Sequence, residues 1–316
     1  MKNFETPLAI TMGDPSGIGP EIILKSVVET KLNNFLIFGD SLVFDSLIKS
    51  LGLPLTINKI SELSEAIFEE DYINLFETSK LNHLPHYGKI SKECGKASFD
   101  AIMKSIELAK QGKVSGIVTA PISKKALNLA HINYPGHTEI LAGYSNNKAV
   151  SMMLLNKHIK TVLVTLHCSM KQALDRITIQ NELDALINAN LGCKLFGIEK
   201  PVIAVAALNP HAGENGLFGN EEKNIIEPAI KLAQDMGINA IGPFPGDTVF
   251  MNAKKGKYDV VVSQYHDQGL IPIKYEGIDE GVNVTIGIDF FRNKGMIDLH
   301  IILEEKLHHT QDAKQF

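Results

Sequence analysis

The chain has 316 residues, 44% of them hydrophobic and 21% charged, with a formal net charge of -5. That composition is ordinary for a globular protein of two domains or one large α/β unit, and the acidic balance gives nucleic acid or an anionic membrane surface no reason to bind. No run of 18 apolar residues is present to cross a bilayer, and the start, MKNFETPLAITMGDPSG, has no basic segment leading into an apolar one, so neither a membrane span nor a secretory signal is expected. The three cysteines, Cys94, Cys168 and Cys193, form no CxxC pair and read as reduced thiols of a cytoplasmic protein.

In chain order, PLAIT reads as a strand that leads through a glycine loop into a helix over PEIILKSVVE. NFLIFGD is a second strand, Ser41–Leu51 an amphipathic helix, and YINLFE a third strand. CGKASFDAIMKSIELAKQGK carries apolar residues at helical spacing and stops at Gly112. GIVTAP, AVSMMLL and KTVLVTL follow as strands, with HTEILAGY as a helix after the first of them. A long helix over 178–195, the strand PVIAVAAL, a helix over EEKNIIEPAIKLAQDMG, and the strands DVVVSQY and GVNVTIGI complete the reading. This alternation predicts a largely parallel sheet covered by helices. Without a repeat or flexible linker, any division is expected within one compact chain, 1–316, which crosses between two interleaved α/β subdomains.

Three histidines follow hydrophobic runs: His167 in VLVTLHCS, His211 in IAVAALNPHAGENG and His266 in DVVVSQYHDQG. Each run reads as a buried parallel strand, and ligands bind α/β proteins at the C-terminal edges of such strands. Three imidazoles on one edge suit a divalent ion such as zinc or cobalt, although each histidine alone also suits a partly buried residue with one satisfied hydrogen bond. Cys168 beside a metal-bound His167 would have no free base to make it a nucleophile.

Two glycine clusters are also informative. GDPSGIGPE joins a strand to a helix but has neither the GxGxxG spacing nor the Lys-Ser/Thr of a P-loop, leaving a tight turn or a ligand-facing loop. YPGHTE opens a helix, whose N-terminal amides suit phosphate, with His137 and Thr138 as added donors; Thr138 suits a plain helix cap equally well. Further along, Asp247 suits a cap for the next helix, and Asp267 follows His266 directly. Lys274 and Arg292, with Asn283 between them in sequence, follow; the two cations suit a doubly anionic substrate, although each singly also suits a solvated surface charge.

The segments GDPSGIGPE, TAPISKKAL, YPGHTE, LNPHAGE, GPFPGDTVF, YHDQGLIPIKYEG and GVNVTIGI, in that order, resemble the 4-hydroxythreonine-4-phosphate dehydrogenase family over about residues 7–292. The resemblance implies an α/β/α fold like isocitrate and isopropylmalate dehydrogenases, with two subdomains around a central cleft, in a homodimer with shared active sites. It implies oxidation of 4-phosphohydroxy-L-threonine at C3 with NAD or NADP, and loss of CO₂ to give 3-amino-2-oxopropyl phosphate for pyridoxal phosphate synthesis. His167, His211 and His266 become ligands of one divalent ion (zinc, cobalt or magnesium) shared across the dimer. His137, Thr138, Lys274, Asn283 and Arg292 become substrate-binding residues, and Asp247 and Asp267 the acidic residues near the metal, suited to accept a proton or to orient a ligand histidine. The alternatives are a dehydrogenase of D-threonate or D-erythronate 4-phosphate, and a non-catalytic metal- and phosphate-binding relative.

After Arg292 the resemblance stops. Family members continue Thr-Ser-x-Asp-His-Gly-Thr-Ala, where this chain has Asn293-Lys294-Gly295-Met296-Ile297-Asp298-Leu299-His300. That family segment resembles the superfamily loop that holds the adenosine of the dinucleotide. The atypical tail, 293–316, is therefore expected to weaken cofactor binding while leaving the metal and substrate sites assembled.

Overall fold

The computed structural model describes residues 6–147, 149–277 and 281–289, and the backbone of 300–302. Its strands are β1 (Leu8–Thr11), β2 (Phe35–Gly39), β3 (Thr56–Ile60), β4 (Tyr72–Glu77), β5 (Gly116–Thr119), β6 (Ser151–Leu155), β7 (Lys160–Leu163), β8 (Ile203–Ala206), β9 (Ala240–Phe244), β10 (Val260–Ser263), β11 (Val282–Ile286) and β12 (His300–Ile302). Its α-helices are α1 (Gly19–Thr30), α2 (Ser41–Leu51), α3 (Lys92–Lys110), α4 (Lys124–Leu129), α5 (His137–Tyr144), α6 (Met170–Arg176), α7 (Ile179–Leu195), α8 (Glu227–Asp235), α9 (Gly246–Lys254) and α10 (His266–Tyr275).

The chain divides into two bodies, residues 1–146 with 288–304, and residues 147–287 with 305–316. In the first, the strands run β3-β4-β2-β1-β5-β12, every pair parallel. Its core gathers Ile23, Leu24, Phe35, Ile37, Phe44 and Leu75, all at most 1% exposed. In the second, the order is β11-β6-β7-β10-β8-β9. There β7, β10, β8 and β9 are mutually parallel, while β6 runs antiparallel to both β7 and β11. Its core gathers Leu154, Ala204, Phe250, Val261, Leu270 and Ile273. Burial of each Val, Leu, Ile or Phe side chain among these contributes about 1.5–3 kcal/mol.

Local chemistry explains most boundaries. Ser91 caps α3 by accepting from the Cys94 amide at 3.1 Å, and Thr178 caps α7 by accepting from Asn181 at 3.2 Å. The helix expected over 221–237 is divided. A π-helical turn spans Glu222–Ile226 before α8 begins, and Pro228 lies at the junction. Proline has no amide hydrogen to give to the preceding turn, so the helix widens there. Asp247 is not the cap of α9: Pro245 holds that position and Asp247 lies in the first turn. Thr138 is likewise inside α5, whose cap is Gly136. No helix among the described residues is long and apolar enough to cross a membrane.

Candidate active site

Strands β7, β10 and β8 lie side by side and parallel, so their C-terminal ends open on one edge of the second body. His167 follows β7, His211 follows β8, and His266 is the first residue of α10 after β10. Two glutamines tie these strand ends together. The Gln264 side chain donates to the Ala206 carbonyl at 2.9 Å, and Gln268 donates to the Ala207 carbonyl at 2.8 Å. Gln268 also accepts from the Gln264 amide at 2.7 Å, and the Thr165 hydroxyl donates to the Gln264 carbonyl at 2.8 Å.

His167 and His266 meet, with ring centroids 5.5 Å apart and planes inclined by 46°. Two imidazoles bound to one tetrahedral zinc-sized ion through nitrogen at about 2.0–2.1 Å would have centroids roughly 5 Å apart, so the pair fits a shared cation. Asp267 strengthens the fit. Its Oδ1 lies 2.7 Å from His266 Nδ1, an arrangement that leaves Nε2 as the coordinating atom and makes it a better donor. Both rings and Asp267 border one hollow, together with Cys168, Ser169 and Tyr265.

His211 lies elsewhere. It borders the adjoining hollow with Asn209, Asp247 and Gln268, and only Tyr265 and Asp267 line both hollows. Among the described residues of a single chain, no three histidine, cysteine or carboxylate side chains converge as a ready cation site. In the strand order β10 stands between β7 and β8, which separates His167 from His211, while His266, on the strand end between them, meets His167.

The His211 segment is unusual in its backbone. His211, Ala212, Glu214 and Asn215 all have positive φ, between 42° and 55°, with Gly213 at 76°. A left-handed turn costs L-residues roughly 1–2 kcal/mol each, and runs of them are rare. Compensation comes from Glu222, which is 4% exposed and sits on the π-helical turn. Its Oε1 accepts from the Leu208 and Asn209 amides at 2.9 and 2.7 Å, and its Oε2 accepts from Asn209 Nδ2 at 2.9 Å. Hydrogen bonds to a charged group contribute about 1.5–3 kcal/mol each, the same order as the strain. Glu221 holds the same Asn209 amide from the other side, at 2.7 Å.

The remaining expected residues fall as follows. Lys274 is exposed in the last turn of α10. Asn283 lies on β11, and its side-chain oxygen is buried with no hydrogen-bond partner among the described residues. His137 and Thr138 open α5 in the first body. His137 is buried, and desolvation, with Lys124 adding to it against a hydrogen bond that the ring donates to the Ala120 carbonyl, lowers its pKa to about 4. It is therefore a neutral imidazole at pH 7, able to hydrogen-bond an anion but bringing no charge. Arg292 lies outside the described residues, and of the atypical tail, 293–316, only the backbone of 300–302 is described. Burial raises the Cys94 thiol and pushes Cys193 up to about 12, so neither is a nucleophile.

Sequence reasoning missed Glu222, Gln264, Gln268 and Glu182. Gln264 carried a legible signal, an amide directly after the apolar run VVVS, and it is fully buried. Glu182 is buried in α7, where desolvation, opposed by the Gln264 side chain, pushes its carboxyl up to about 8.

Comparison with known proteins identifies the family and the fold. The family model of the pyridoxal phosphate biosynthetic protein PdxA matches residues 31–294. A 4-hydroxythreonine-4-phosphate dehydrogenase of Beijerinckia indica is 51% identical over 293 residues, covering 92% of this chain and 87% of that protein. A D-threonate 4-phosphate dehydrogenase of Salmonella typhimurium is 40% identical over 289 residues, covering 90% and 88%. The crystal structure of a 4-hydroxythreonine-4-phosphate dehydrogenase from Klebsiella pneumoniae superposes with a TM-score of 0.83 at 35% identity, over 95% of this chain and 91% of that one. The strand-end histidines thus sit on a fold shared with solved dehydrogenases, and the chain belongs to the PdxA family.

Proposed function

We propose that the chain is a dehydrogenase of 4-phosphohydroxy-L-threonine, dependent on a divalent cation and on NAD or NADP. It oxidises the C3 hydroxyl and releases CO₂ to give 3-amino-2-oxopropyl phosphate. The observation that carries this reading is the His167–His266 pair with Asp267 on the His266 ring. The higher identity to the 4-hydroxythreonine-4-phosphate dehydrogenase favours that substrate over D-threonate 4-phosphate.

His167, His266 and His211 would hold the cation, whether zinc, cobalt or magnesium. When bound, that ion supplies the Lewis acidity that lowers the pKa of a substrate hydroxyl. Asp267 fixes the His266 ring, and the exposed Asp247 in the adjoining hollow is placed to accept the hydroxyl proton. Lys274 and Asn283 bind the anionic groups of the substrate, and the resemblance adds His137, Thr138 and Arg292. The net charge of -5 makes such local cations necessary for a doubly anionic ligand. The nicotinamide accepts the hydride, so the protein's task there is placement. The unusual segment after Arg292 would hold that dinucleotide less tightly than the family's usual one does.

A homodimer with shared sites follows from the same reading. One chain leaves His211 apart from the other two ligands. Apolar side chains near these loops are exposed, among them Leu217 at 73%, Ile271 at 63% and Met170 at 54%, and a second copy would cover them. Free Cys94, Cys168 and Cys193 suit the cytoplasm.

The test is turnover. Purified protein is given each phosphorylated acid with NAD and with NADP, before and after exhaustive chelation. Reduction of the nicotinamide with 4-phosphohydroxy-L-threonine, abolished by chelation and restored by a divalent ion, is the expected result. Turnover of D-threonate 4-phosphate alone would move the substrate, and turnover indifferent to chelation would remove the cation.

A further inference from the structure

We propose that Glu222 is the positioning residue for His211: its buried carboxylate holds the left-handed turn that aims this imidazole. The inference rests on the reading of His211 as a cation ligand. It begins from a conflict between sequence and backbone. Of the five residues from His211 to Asn215, only Gly213 enters the left-handed region without steric cost, yet all five occupy it. Something outside the turn must hold it there, and strain of this kind concentrates where geometry is functional.

Glu222 is that external restraint. One oxygen gathers the Leu208 and Asn209 amides, which enter the turn. The other gathers the Asn209 side chain and lies against the turn itself, since a Cβ added to Gly213 would stand 2.7 Å from it. Entry and midpoint of the turn are therefore fixed to a single carboxylate. The turn closes on itself through the Phe218 amide, which donates to the Gly213 carbonyl at 3.1 Å. The π-helical turn at Glu222–Ile226 gives this carboxylate its place, so the widened turn and the left-handed turn form one device. Released from Glu222, the segment would relax toward right-handed geometry and turn His211 away.

Calorimetric titration with Co²⁺ tests this in the full-length protein, beside thermal melting, for wild type, His211→Ala, Glu222→Gln, Glu222→Asp and Glu222→Gln/Ala212→Gly. Glu222→Gln keeps the shape but loses the charge, and should bind Co²⁺ about tenfold or more weakly while still melting cooperatively. Glycine at 212 accepts positive φ without cost and should recover part of that affinity, which a merely structural role for Glu222 would not predict. If Glu222→Gln fails to fold, Glu222→Asp carries the same expectation with a smaller loss. Wild-type affinity in folded Glu222→Gln, or in Glu222→Asp where Glu222→Gln does not fold, with affinity lost in His211→Ala, overturns the proposal and leaves His211 a ligand. Wild-type affinity in His211→Ala overturns the ligand reading itself, and the proposal with it.

Discussion

The two hollows of the second body place their histidines by opposite means. His266 stands at the start of a right-handed helix directly after a buried parallel strand, and a neighbouring carboxylate, Asp267, fixes its ring. His167 reaches the same hollow from the adjacent strand end. Ordinary secondary structure does most of that work. His211 instead sits on a left-handed turn whose residues alone would not choose that conformation, held by a carboxylate from a later segment. The first arrangement is cheap in backbone strain and stable by itself. The second depends on hydrogen bonds to a carboxylate outside the turn.

Breaking the first hollow should have the largest effect. His266→Ala removes a proposed ligand and leaves Asp267 without its partner, and should abolish cation-dependent turnover while the melting temperature stays near wild type, because the ring is over a third exposed. Retained turnover at wild-type cation concentration would contradict this. Asp267→Asn separates orientation from ligation. It should weaken cation affinity by roughly 10–100-fold, the range for residues that orient a ligand histidine. An unchanged affinity would show that His266 needs no such partner.

A complementation experiment sharpens the comparison by asking whether the hollows cooperate between chains. His266→Ala and His211→Ala proteins, each inactive, are mixed and refolded together. If one chain supplies His167 and His266 and its partner supplies His211, half of the sites in each hybrid dimer are intact, and turnover returns. Hybrids that form yet remain inactive would argue for sites built within single chains.

A smaller effect is expected at Lys274. Lys274→Met should raise KM for the phosphorylated substrate about tenfold or more, the equivalent of 1.5–3 kcal/mol for one charge-assisted hydrogen bond. KM unchanged would place the anion elsewhere.

The smallest is a stability effect beneath the site. Burial raises the Glu182 carboxyl to about 8 in the folded protein, against 4.5 for an ordinary glutamate. Between those values the folded state keeps a proton that the unfolded state has lost, so stability falls as pH rises through that window. Glu182→Gln removes this dependence. Its melting temperature should gain on wild type progressively from pH 5 to pH 8, and a difference that stays flat with pH would refute the assignment.

What could be read from sequence follows the same division. Long β-branched runs such as VVVS and FLIFG announce buried parallel strands, and the histidines beyond them announce a strand-end site. The strand TINKI, half polar at the edge of the first body's sheet, and AIGPF, interrupted by Gly-Pro, carry too little pattern to be seen. The antiparallel setting of β6 is set by its neighbours on both sides rather than by its own residues. PHAGENG shows why a site can be located without its geometry being legible. Its handedness depends on Glu222, and nothing in GNEEKN marks that carboxylate as buried.

The most direct measurement of the central claim is a Co²⁺ titration followed by visible absorption. The account predicts a ligand-field spectrum that saturates near one equivalent per chain and is lost in both His167→Ala and His266→Ala. A wild-type spectrum in either variant would contradict it.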